Sequence, residues 1–565
     1  MYRILPKGSK PLKYVLFLVF FVIYSITTHL MGGQKVKWLL SWSHSYFMVE
    51  IPLVLYLYYL FNQLLRPGKW RPVLAAAPIL LCYLIYDIVF FWYGKVVRFI
   101  DILEVPELSH VLPYTWLAAA ALLFLLPLLL FIGQIDLRRL RRNGLIALPL
   151  VLLVVGVTLF PGHFVAAFNE VAQVNPWSDQ QNVRDNGRLS MVIYLEAQRR
   201  MVAGALEEHR HRARYEKQIQ TQAVRLKADI RQPRNVYLMV LESFLDPHLF
   251  AKARYSMEPM HPDFTPFYRS EGFSISPVFG GGTAQAEFEA LCGVPAFRDY
   301  SGIEFNNFSG SPAYCLPGLL AKAGYRTIAS NAHKPDFFNA IPAYQSLGFS
   351  EIYFPREYAP QRQTYLSAGD VRREKYMFDG PLFDQNYGFL FRKATSDRRP
   401  VFNYILSIYG HFPHYLDERV RPEKIRIVSK ATDKMLERAT NQYYYRTKAM
   451  AHYLKRIIKT DPQALIVMVS DHLPPLSFGV SSYKKLGYLE GVADNIHKNR
   501  LIVIDRGRVK IHNNLHHYDI PSLILDYLTD GRYCKGTTCG FRMEPPPPRE
   551  SYHDRYVEIM AHGTE

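Results

Sequence analysis

The sequence predicts a two-part protein: an N-terminal all-α membrane domain over residues 1–164 and an α/β domain with a mostly parallel central sheet over residues 233–545. Five apolar runs, each close to the roughly 20 residues that cross a bilayer core, occupy the first domain. Beyond them, strand-like runs alternate with helical patterns, which is typical of parallel strands joined by crossover helices. A chain of 565 residues is also too long for one ordinary domain.

The apolar runs predict five transmembrane helices, over residues 12–30, 46–65, 73–93, 115–133 and 145–160. The first run resembles a signal peptide in position. However, four more spans follow it and no small-residue cleavage site is apparent, so we predict that it is retained.

Charges near the span ends predict the orientation. Eleven Lys and Arg residues fall on the side of the N-terminus and four on the other side. Because cytoplasmic loops are enriched in these residues, we expect a cytoplasmic N-terminus, and five spans then place the α/β domain outside. The eleven are Arg3, Lys7, Lys10, Lys13, Arg66, Lys69, Arg71, Arg138, Arg139, Arg141 and Arg142, and the four are Lys35, Lys37, Lys95 and Arg98.

The net charge of +18 indicates an anionic partner. Because basic residues flank the apolar spans, an anionic lipid surface is the first candidate. No Lys/Arg-rich block with interleaved aromatic residues stands out, so we expect no nucleic-acid partner.

The cysteines agree with an exported domain. Cys82 lies in a span, where we expect inert packing, and the other four are an even number on the side where disulfides persist. Four cysteines allow three connectivities, among which we favour Cys534 with Cys539 and Cys292 with Cys315.

Residues 165–232 form a linker with a helical pattern over about 188–230. The pattern suits a helix packed on the exported domain, or a helix at the membrane surface. Residues 546–565 begin within the proline run 545–548 and are expected to be an extended tail. The α/β domain has predicted strands over 236–241, 326–330, 401–407, 465–470 and 501–504, and predicted helices over 317–324, 441–460 and 520–528.

Polar residues follow two of the predicted strands directly. Glu242 comes after the run 236–241, and Asp471 and His472 come after the run 465–470. Ligands of α/β sheets bind beyond the carboxyl ends of the strands, so these side chains are site candidates. Between them in sequence, three glycines precede Thr283, where a helix is predicted to begin.

Two carboxylates, a hydroxyl and an imidazole form a plausible tetrahedral set for one divalent ion, Mn²⁺ or Zn²⁺. A threonine hydroxyl is a weak nucleophile, but metal coordination and a helix N-terminus both favour its alkoxide. Glycines also let backbone N–H groups approach a phosphate closely. The pattern therefore predicts nucleophilic chemistry at a phosphate or a similar group.

These motifs resemble the lipoteichoic acid synthase and phosphoglycerol transferase family, whose sulfatase-like domain belongs to the alkaline phosphatase superfamily. The resemblance covers essentially the whole chain in the same order. Its motifs are Glu242-Ser243-Phe244, Gly280-Gly281-Gly282-Thr283-Ala284 with Glu287-Phe288-Glu289, His411-Phe412-Pro413 and Ser470-Asp471-His472.

The resemblance implies five spans and an extracytoplasmic catalytic domain. It implies that Thr283 attacks the phosphodiester of phosphatidylglycerol and passes phosphoglycerol to a cell-envelope glycan or lipid acceptor. Glu242, Asp471 and His472 would join Thr283 in holding the metal. His411 would contact the transferred phosphate, and His411 or His414 would assist proton movement.

One motif departs from the family. Where the synthases carry Phe-Trp-Asn-Arg, this chain has the segment 337–340, Phe-Phe-Asn-Ala. Phe338 replaces the tryptophan, and alanine cannot reproduce the bidentate grip of arginine on phosphate. Either His333 or Lys334 supplies the charge, or the head group differs.

The sequence around Cys292 and Cys315 resembles that of periplasmic phosphoglycerol transferases of Gram-negative bacteria. We therefore expect a multi-pass protein of the bacterial inner (cytoplasmic) membrane, with its catalytic domain facing the periplasm or the cell exterior.

There are three alternatives to phosphoglycerol transfer. Sulfatase activity is disfavoured because the segment 292–298, Cys-Gly-Val-Pro-Ala-Phe-Arg, misses the spacing of the Cys/Ser-x-Pro-x-Arg motif. A phosphoethanolamine transferase of the same fold, acting on lipid A or a surface glycan, is the main alternative. A non-catalytic membrane scaffold is the alternative from another class, and it predicts a broken metal set.

Overall fold

The computed structural model describes residues 12–31, 45–93, 97–99, 101–102, 105, 114–172, 174, 179–209, 211–298, 303–335, 337–369, 375–392, 398–513, 515–535 and 539–565. The chain divides into two compact units, Met1–Gly204 and Ala205–Glu565. Among the charges used to predict orientation, Arg3, Lys7, Lys10, Lys35, Lys37 and Lys95 lie outside the described residues.

The first unit is helical, as its apolar composition predicts. Within the described residues, four segments are long and apolar enough to cross a membrane: Tyr46–Leu64, Arg71–Phe90, Tyr114–Gly133 and Arg142–Leu159. The first predicted span is also a helix, with a shorter apolar stretch over Leu12–Tyr24. The helices are α1 (Leu12–Met31), α2 (Ile51–Leu64, after a π-helical turn Tyr46–Glu50), α3 (Arg71–Tyr93), α4 (Tyr114–Gly133), α5 (Leu140–Leu159), α6 (Pro161–Val171), α7 (Asp179–Asn186) and α8 (Arg188–His209).

A buried carboxylate from the membrane-spanning part caps helix α8. Glu50 Oε1 accepts the N–H groups of Arg188 and Leu189 at 3.0 Å each, and Oε2 accepts that of Ser190 at 2.9 Å. The first N–H groups of a helix have no partner inside it, so this carboxylate satisfies three of them. Arg188 also pairs with Asp87 at 2.7 Å.

The second unit contains a nine-stranded sheet in the order β4-β3-β5-β1-β6-β7-β2-β9, with β8 paired to β7. The five strands β4, β3, β5, β1 and β6 are mutually parallel, and β7 is antiparallel to β6, β2 and β8. The prediction of a mostly parallel sheet is confirmed. The strands are β1 (Val236–Leu241), β2 (Phe273–Ile275), β3 (Arg326–Asn331), β4 (Glu351–Tyr353), β5 (Val401–Leu406), β6 (Leu465–Ser470), β7 (Lys498–Asp505), β8 (Arg508–Lys510) and β9 (Leu515–His516).

Helices cover the sheet, and strands β1 and β6 are buried along their whole length. Such strands read as continuous apolar runs, which is why the sequence located them. The helices are α9 (Arg212–Asp229), α10 (Thr283–Cys292), α11 (Leu316–Lys322), α12 (Ala340–Leu347), α13 (Asp379–Arg392), α14 (Lys434–Thr460), α15 (Val480–Leu486), α16 (Ile520–Leu528) and α17 (His553–Gly563).

Two expectations about helices need correction. The pattern over 188–230 forms two helices, α8 and α9, and α9 buries Tyr215 and Leu226 within the second unit. The expectation of an extended tail over 546–565 is wrong for its last part. Helix α17 lies there and buries Tyr556 and Met560, whose spacing of four residues places both on one helical face.

Both favoured disulfides are present, Cys292–Cys315 and Cys534–Cys539. The first links the end of α10 to the residue that precedes α11. It therefore braces the helix that begins at Thr283.

Candidate active site

Strand register brings the two predicted carboxylates together. Strands β1 and β6 are parallel neighbours, and their last paired residues are Leu241 and Ser470. Glu242 and Asp471 follow these residues directly, so both carboxylates emerge at the same edge of the sheet. Both side chains are buried.

The glycine turn brings Thr283 to the same edge. Gly280, Gly281 and Gly282 have φ values of 73°, 147° and 84°, a region that favours glycine. The N–H of Gly280 donates to the carbonyl of Leu473 at 2.8 Å, which ties the turn to the loop after β6. Helix α10 then begins at Thr283, as predicted, and its N-terminus carries a partial positive charge.

The four predicted ligands form one cluster. Thr283 Oγ1 lies 2.8 Å from Asp471 Oδ2, 3.2 Å from Glu242 Oε2 and 3.5 Å from His472 Nε2. His472 Nε2 lies 3.3 Å from Asp471 Oδ2. All four side chains are buried, and the ligand atoms of Glu242, Asp471 and His472 lie within 4.8 Å of one another.

This donor set fits a divalent cation. His472 Nδ1 lies 3.2 Å from the carbonyl of Leu473, which only accepts, so Nδ1 carries the hydrogen and Nε2 presents a lone pair to the cluster. Burial, and then the negative charge of Asp471, raise the pKa of Glu242 well above its ordinary value. A bound cation would relieve that repulsion. Glu242, Asp471 and His472, with the Thr283 hydroxyl, are the residues that would hold it.

Polar neighbours orient these ligands. Asp471 Oδ1 accepts the N–H of Ser243 at 2.7 Å, which leaves Oδ2 for Thr283. Ser243 Oγ donates to Glu242 Oε1 at 2.8 Å. Each carboxylate is thus held by one oxygen while its other oxygen faces Thr283 Oγ1.

The main chain of Glu242 is fixed by residues that the sequence analysis did not identify. Arg446, on α14, donates through Nη1 to the Glu242 carbonyl at 2.7 Å and through Nη2 to Ser407 Oγ at 3.1 Å. Ser407 Oγ accepts the Glu242 N–H at 3.2 Å. Arg446 also pairs with the buried Asp379 at 2.7 Å. No motif flags Arg446, because the bond to Glu242 spans 204 residues of sequence.

His411 lies in an aromatic and basic environment beside the cluster. Its Nδ1 lies 2.7 Å from its neighbour's carbonyl, that of Phe412, so Nδ1 carries the hydrogen and Nε2 is an acceptor in the neutral ring. Burial lowers the pKa of His411 to about 4, and the positive charge of Lys375 contributes. The ring centroid lies 5.0 Å from that of Tyr376.

Lys375 is a second residue that the sequence analysis missed. Its Nζ lies 5.3 Å from the Tyr376 ring centroid and 5.6 Å from that of Tyr415. Burial lowers the pKa of Lys375, and the positive charge of Lys334 adds to the effect. The effect of Lys334 on Lys375, and that of Lys375 on His411, indicate a basic region on the side of His411.

The other predicted substrate residues lie on two loops. His414 is buried, and its Nδ1 bonds to Gln442 Oε1 at 3.1 Å, so it is anchored to α14. His333 lies two residues beyond β3, and its ring packs on Phe337 at 4.2 Å. Phe338 directly precedes the residue that caps α12, with a φ of 51°. Their roles in substrate binding stay predictions.

The sulfatase family model matches residues 234–529, a little over half of the chain. This segment contains all four residues of the cluster.

Two curated relatives match parts of the chain. A Rhizobium meliloti (strain 1021) protein named "Putative cyclic beta-1,2-glucan modification protein" is 28% identical over 268 residues, 46% of this chain and 38% of that protein. An uncharacterized protein of Haemophilus influenzae is 25% identical over 190 residues, 32% of this chain and 33% of that protein. The chain thus spans less than two fifths of the length of either relative.

Among solved structures, the Streptococcus pyogenes phosphoglycerol transferase GacH in complex with sn-glycerol-1-phosphate aligns with a TM-score of 0.45 at 16% identity, over 64% of this chain and 92% of that one. The Listeria monocytogenes lipoteichoic acid synthase LtaP aligns with a TM-score of 0.42 at 16% identity, over 52% of this chain and 72% of that one. The C-terminal periplasmic domain of EptC from Escherichia coli aligns with a TM-score of 0.35 at 12% identity, over 53% of this chain and 83% of that one.

Proposed function

The chain belongs to the sulfatase family, and we propose that it is a membrane-bound enzyme of this family that transfers phosphoglycerol from phosphatidylglycerol to a cell-envelope glycan or lipid. The observation that carries the proposal is the position of Thr283. Its hydroxyl contacts two buried carboxylates and an imidazole at the N-terminus of a helix. A hydroxyl in that environment is suited to nucleophilic attack.

The proposed reaction is a double displacement at phosphorus. In the first step a bond forms between Thr283 Oγ1 and phosphorus, the bond from phosphorus to the diacylglycerol oxygen breaks, and the threonine proton ends on that oxygen. In the second step the acceptor hydroxyl attacks phosphorus, its bond to Thr283 breaks, and the acceptor proton returns to the threonine. Phosphoglycerol is thus transferred and the enzyme is regenerated.

The chain's own residues have distinct parts in this scheme. The proposed site for the phosphate oxygens is the N-terminus of α10, where the first N–H groups of the helix can donate and the glycine turn leaves room. Neutral His411, with its hydrogen on Nδ1, presents a lone pair at Nε2 and can accept the proton of the attacking acceptor hydroxyl. A divalent ion held by Glu242, Asp471 and His472 would supply charge neutralisation at the phosphate and favour the threonine alkoxide.

The donor, phosphatidylglycerol, is assigned from the resemblance to the family. That resemblance is weakest at Ala340, where the synthases carry an arginine. Loss of the arginine removes a bidentate phosphate clamp. Lys375 and Lys334 offer positive charge in its place. The same loss favours phosphatidylethanolamine as the second candidate donor, with transfer to lipid A or a surface glycan.

For the acceptor, the name of the Rhizobium relative supports a glycan. For location, the apolar helices support a multi-pass membrane protein, and the loop charges support an exported catalytic domain. We therefore propose the bacterial inner membrane, with the catalytic domain facing the periplasm.

The test is the intact mass of the purified full-length protein after incubation with phosphatidylglycerol or phosphatidylethanolamine and Mn²⁺ or Zn²⁺, without an acceptor. We expect a glycerophosphoryl adduct that peptide mapping places on Thr283, and no adduct in Thr283→Ala. Thr327→Val, a change in a strand away from the cluster, is the matched control and keeps the adduct.

A phosphoethanolamine adduct on Thr283 would keep the mechanism and change the donor. An adduct that persists in Thr283→Ala would refute the nucleophile. No adduct with either lipid, in protein that binds the metal, would point to another donor or to the scaffold alternative.

A further inference from the structure

Glu287 links the nucleophile helix to two tyrosines. It lies one turn after Thr283 on α10 and is 2% exposed. Its Oε1 accepts the hydroxyl of Tyr344 at 2.6 Å and the hydroxyl of Tyr404 at 2.6 Å. Burial raises the pKa of Glu287 to about 7. A carboxyl buried in this way requires its hydrogen-bond partners, because an unsatisfied buried polar group is destabilising.

The Tyr344 hydroxyl continues this connection toward His333. It donates to Glu287 and accepts from Asn331 Nδ2 at 3.1 Å. Asn331 Oδ1 in turn accepts the main-chain N–H of His333 at 2.8 Å. Tyr404 differs, because its hydroxyl reaches Glu287 and the neighbouring Tyr344 hydroxyl, whereas the Asn331 side chain bonds to Tyr344.

This chain of hydrogen bonds holds both ends of one loop. Asn331 is the last residue of β3, and Tyr344 lies on α12. The Tyr344 hydroxyl bonds both to the Glu287 carboxylate and to Asn331, so the loop 332–339, described except for residue 336, is tied at both ends through this one hydroxyl. Within the loop, Phe338 and Asn339 have φ values of 51° and 53°. Left-handed residues of this kind persist only where the surroundings hold them.

We infer that Glu287, Tyr344 and Asn331 are positioning residues that hold the loop 332–339, with His333 and Phe338, at a fixed place relative to Thr283. This inference rests on the proposed function. The loop is held so that the head group of a phosphodiester lipid is aligned with the Thr283 hydroxyl. We assign this task to three residues that contact neither phosphorus nor the attacking oxygen. A loop held at both ends loses little entropy when the head group binds.

Tyr344→Phe is the test and Tyr404→Phe is the matched control. Each change removes one hydroxyl from the same buried carboxylate oxygen and keeps a buried ring. Only Tyr344→Phe removes a hydroxyl from the series of hydrogen bonds that connects Glu287 to His333. A purely structural role would therefore affect both variants alike.

The first readout is hydrogen–deuterium exchange of the full-length protein in detergent, which needs no substrate. We expect exchange over residues 332–339 to increase about tenfold in Tyr344→Phe and to stay within twofold of wild type in Tyr404→Phe. The second readout is diacylglycerol release from phosphatidylglycerol. Here we expect KM to rise about tenfold in Tyr344→Phe, with kcat changed less than threefold, and little change in Tyr404→Phe.

The outcomes separate the inference from the proposed function. If wild type releases no diacylglycerol from either lipid, the proposed function fails, and the exchange data alone decide whether the loop is held in this way. If the two variants match each other in exchange, or match each other in KM with an active wild type, the positioning role is refuted.

Discussion

Replacing Arg446 with methionine tests whether the architecture of the site depends on one buried guanidinium. Arg446 is 2% exposed, and its partner Asp379 is fully buried. Methionine keeps most of the side-chain volume but leaves the Asp379 carboxylate without its counter-charge. Removing one partner of a buried ion pair costs about 3–5 kcal/mol. We expect that loss of unfolding free energy in Arg446→Met.

The double variant Arg446→Met/Asp379→Leu separates stability from positioning. Replacing both charges with apolar residues removes the uncompensated carboxylate, and such exchanges are often close to neutral. The Glu242 carbonyl and Ser407 still lack their donor, which costs about 1–3 kcal/mol. The double variant is therefore expected to regain about 2 kcal/mol relative to the single variant.

Metal affinity is expected to behave differently. The main chain of Glu242 is held by Arg446 directly and through Ser407, and neither variant restores that hold. Loss of support behind a metal ligand typically lowers affinity about 10–100-fold. Unfolding by guanidinium chloride in detergent measures the free energy of unfolding, and isothermal titration calorimetry with Mn²⁺ or Zn²⁺ measures the metal affinity. Wild-type metal affinity in the double variant would refute the positioning argument, and a single-variant cost below about 1 kcal/mol would refute the stability argument.

Two further predictions concern groups around the cluster. Burial lowers the pKa of His414 to about 4, against about 6.5 when unfolded, so the unfolded chain takes up its proton first and stability is lost as the pH falls from about 6.5 to 4. We expect His414 to lower the free energy of unfolding of wild type by about 2 kcal/mol between pH 7 and pH 5, and we expect no such loss in His414→Gln. Denaturant unfolding at both pH values measures this difference. Equal losses in the two proteins would contradict the assignment. Lys375→Ala is expected to raise the KM for phosphatidylglycerol about tenfold with kcat within threefold, because a cation near the phosphate is lost, whereas Lys375→Arg keeps KM within threefold. An unchanged KM in the alanine variant would exclude Lys375 from the head-group site.

The sequence predicted best those parts of the site that lie next to a buried strand. The apolar run before Glu242 and the run before Asp471 each mark a strand buried on both faces, and the residue after such a strand lies at the sheet edge. The glycines before Thr283 similarly marked a turn with positive φ. These local signals were enough to identify all four members of the cluster.

What the sequence did not predict depends on contacts between distant segments. Arg446 lies in the middle of a long amphipathic helix, where an arginine ordinarily faces solvent. Lys375 is part of an irregular segment with no periodic pattern, and Tyr344 has the spacing of a common core residue. Helix α17 was not predicted for another reason. The prolines at 545–548 led to the expectation that all residues after them are extended.

The cap that Glu50 provides to helix α8 also has a consequence for biogenesis. Translation makes Glu50 and Asp87 about a hundred or more residues before Arg188, Leu189 and Ser190, so the acceptors are in place in the membrane helices before their donors leave the ribosome. Glu50, an N-terminal partner of α8, therefore comes from an earlier part of the chain. A shortened protein that begins after the last span would retain α8 but lose this cap, whereas one that begins at Arg212 would start with α9, whose buried face belongs to the second unit.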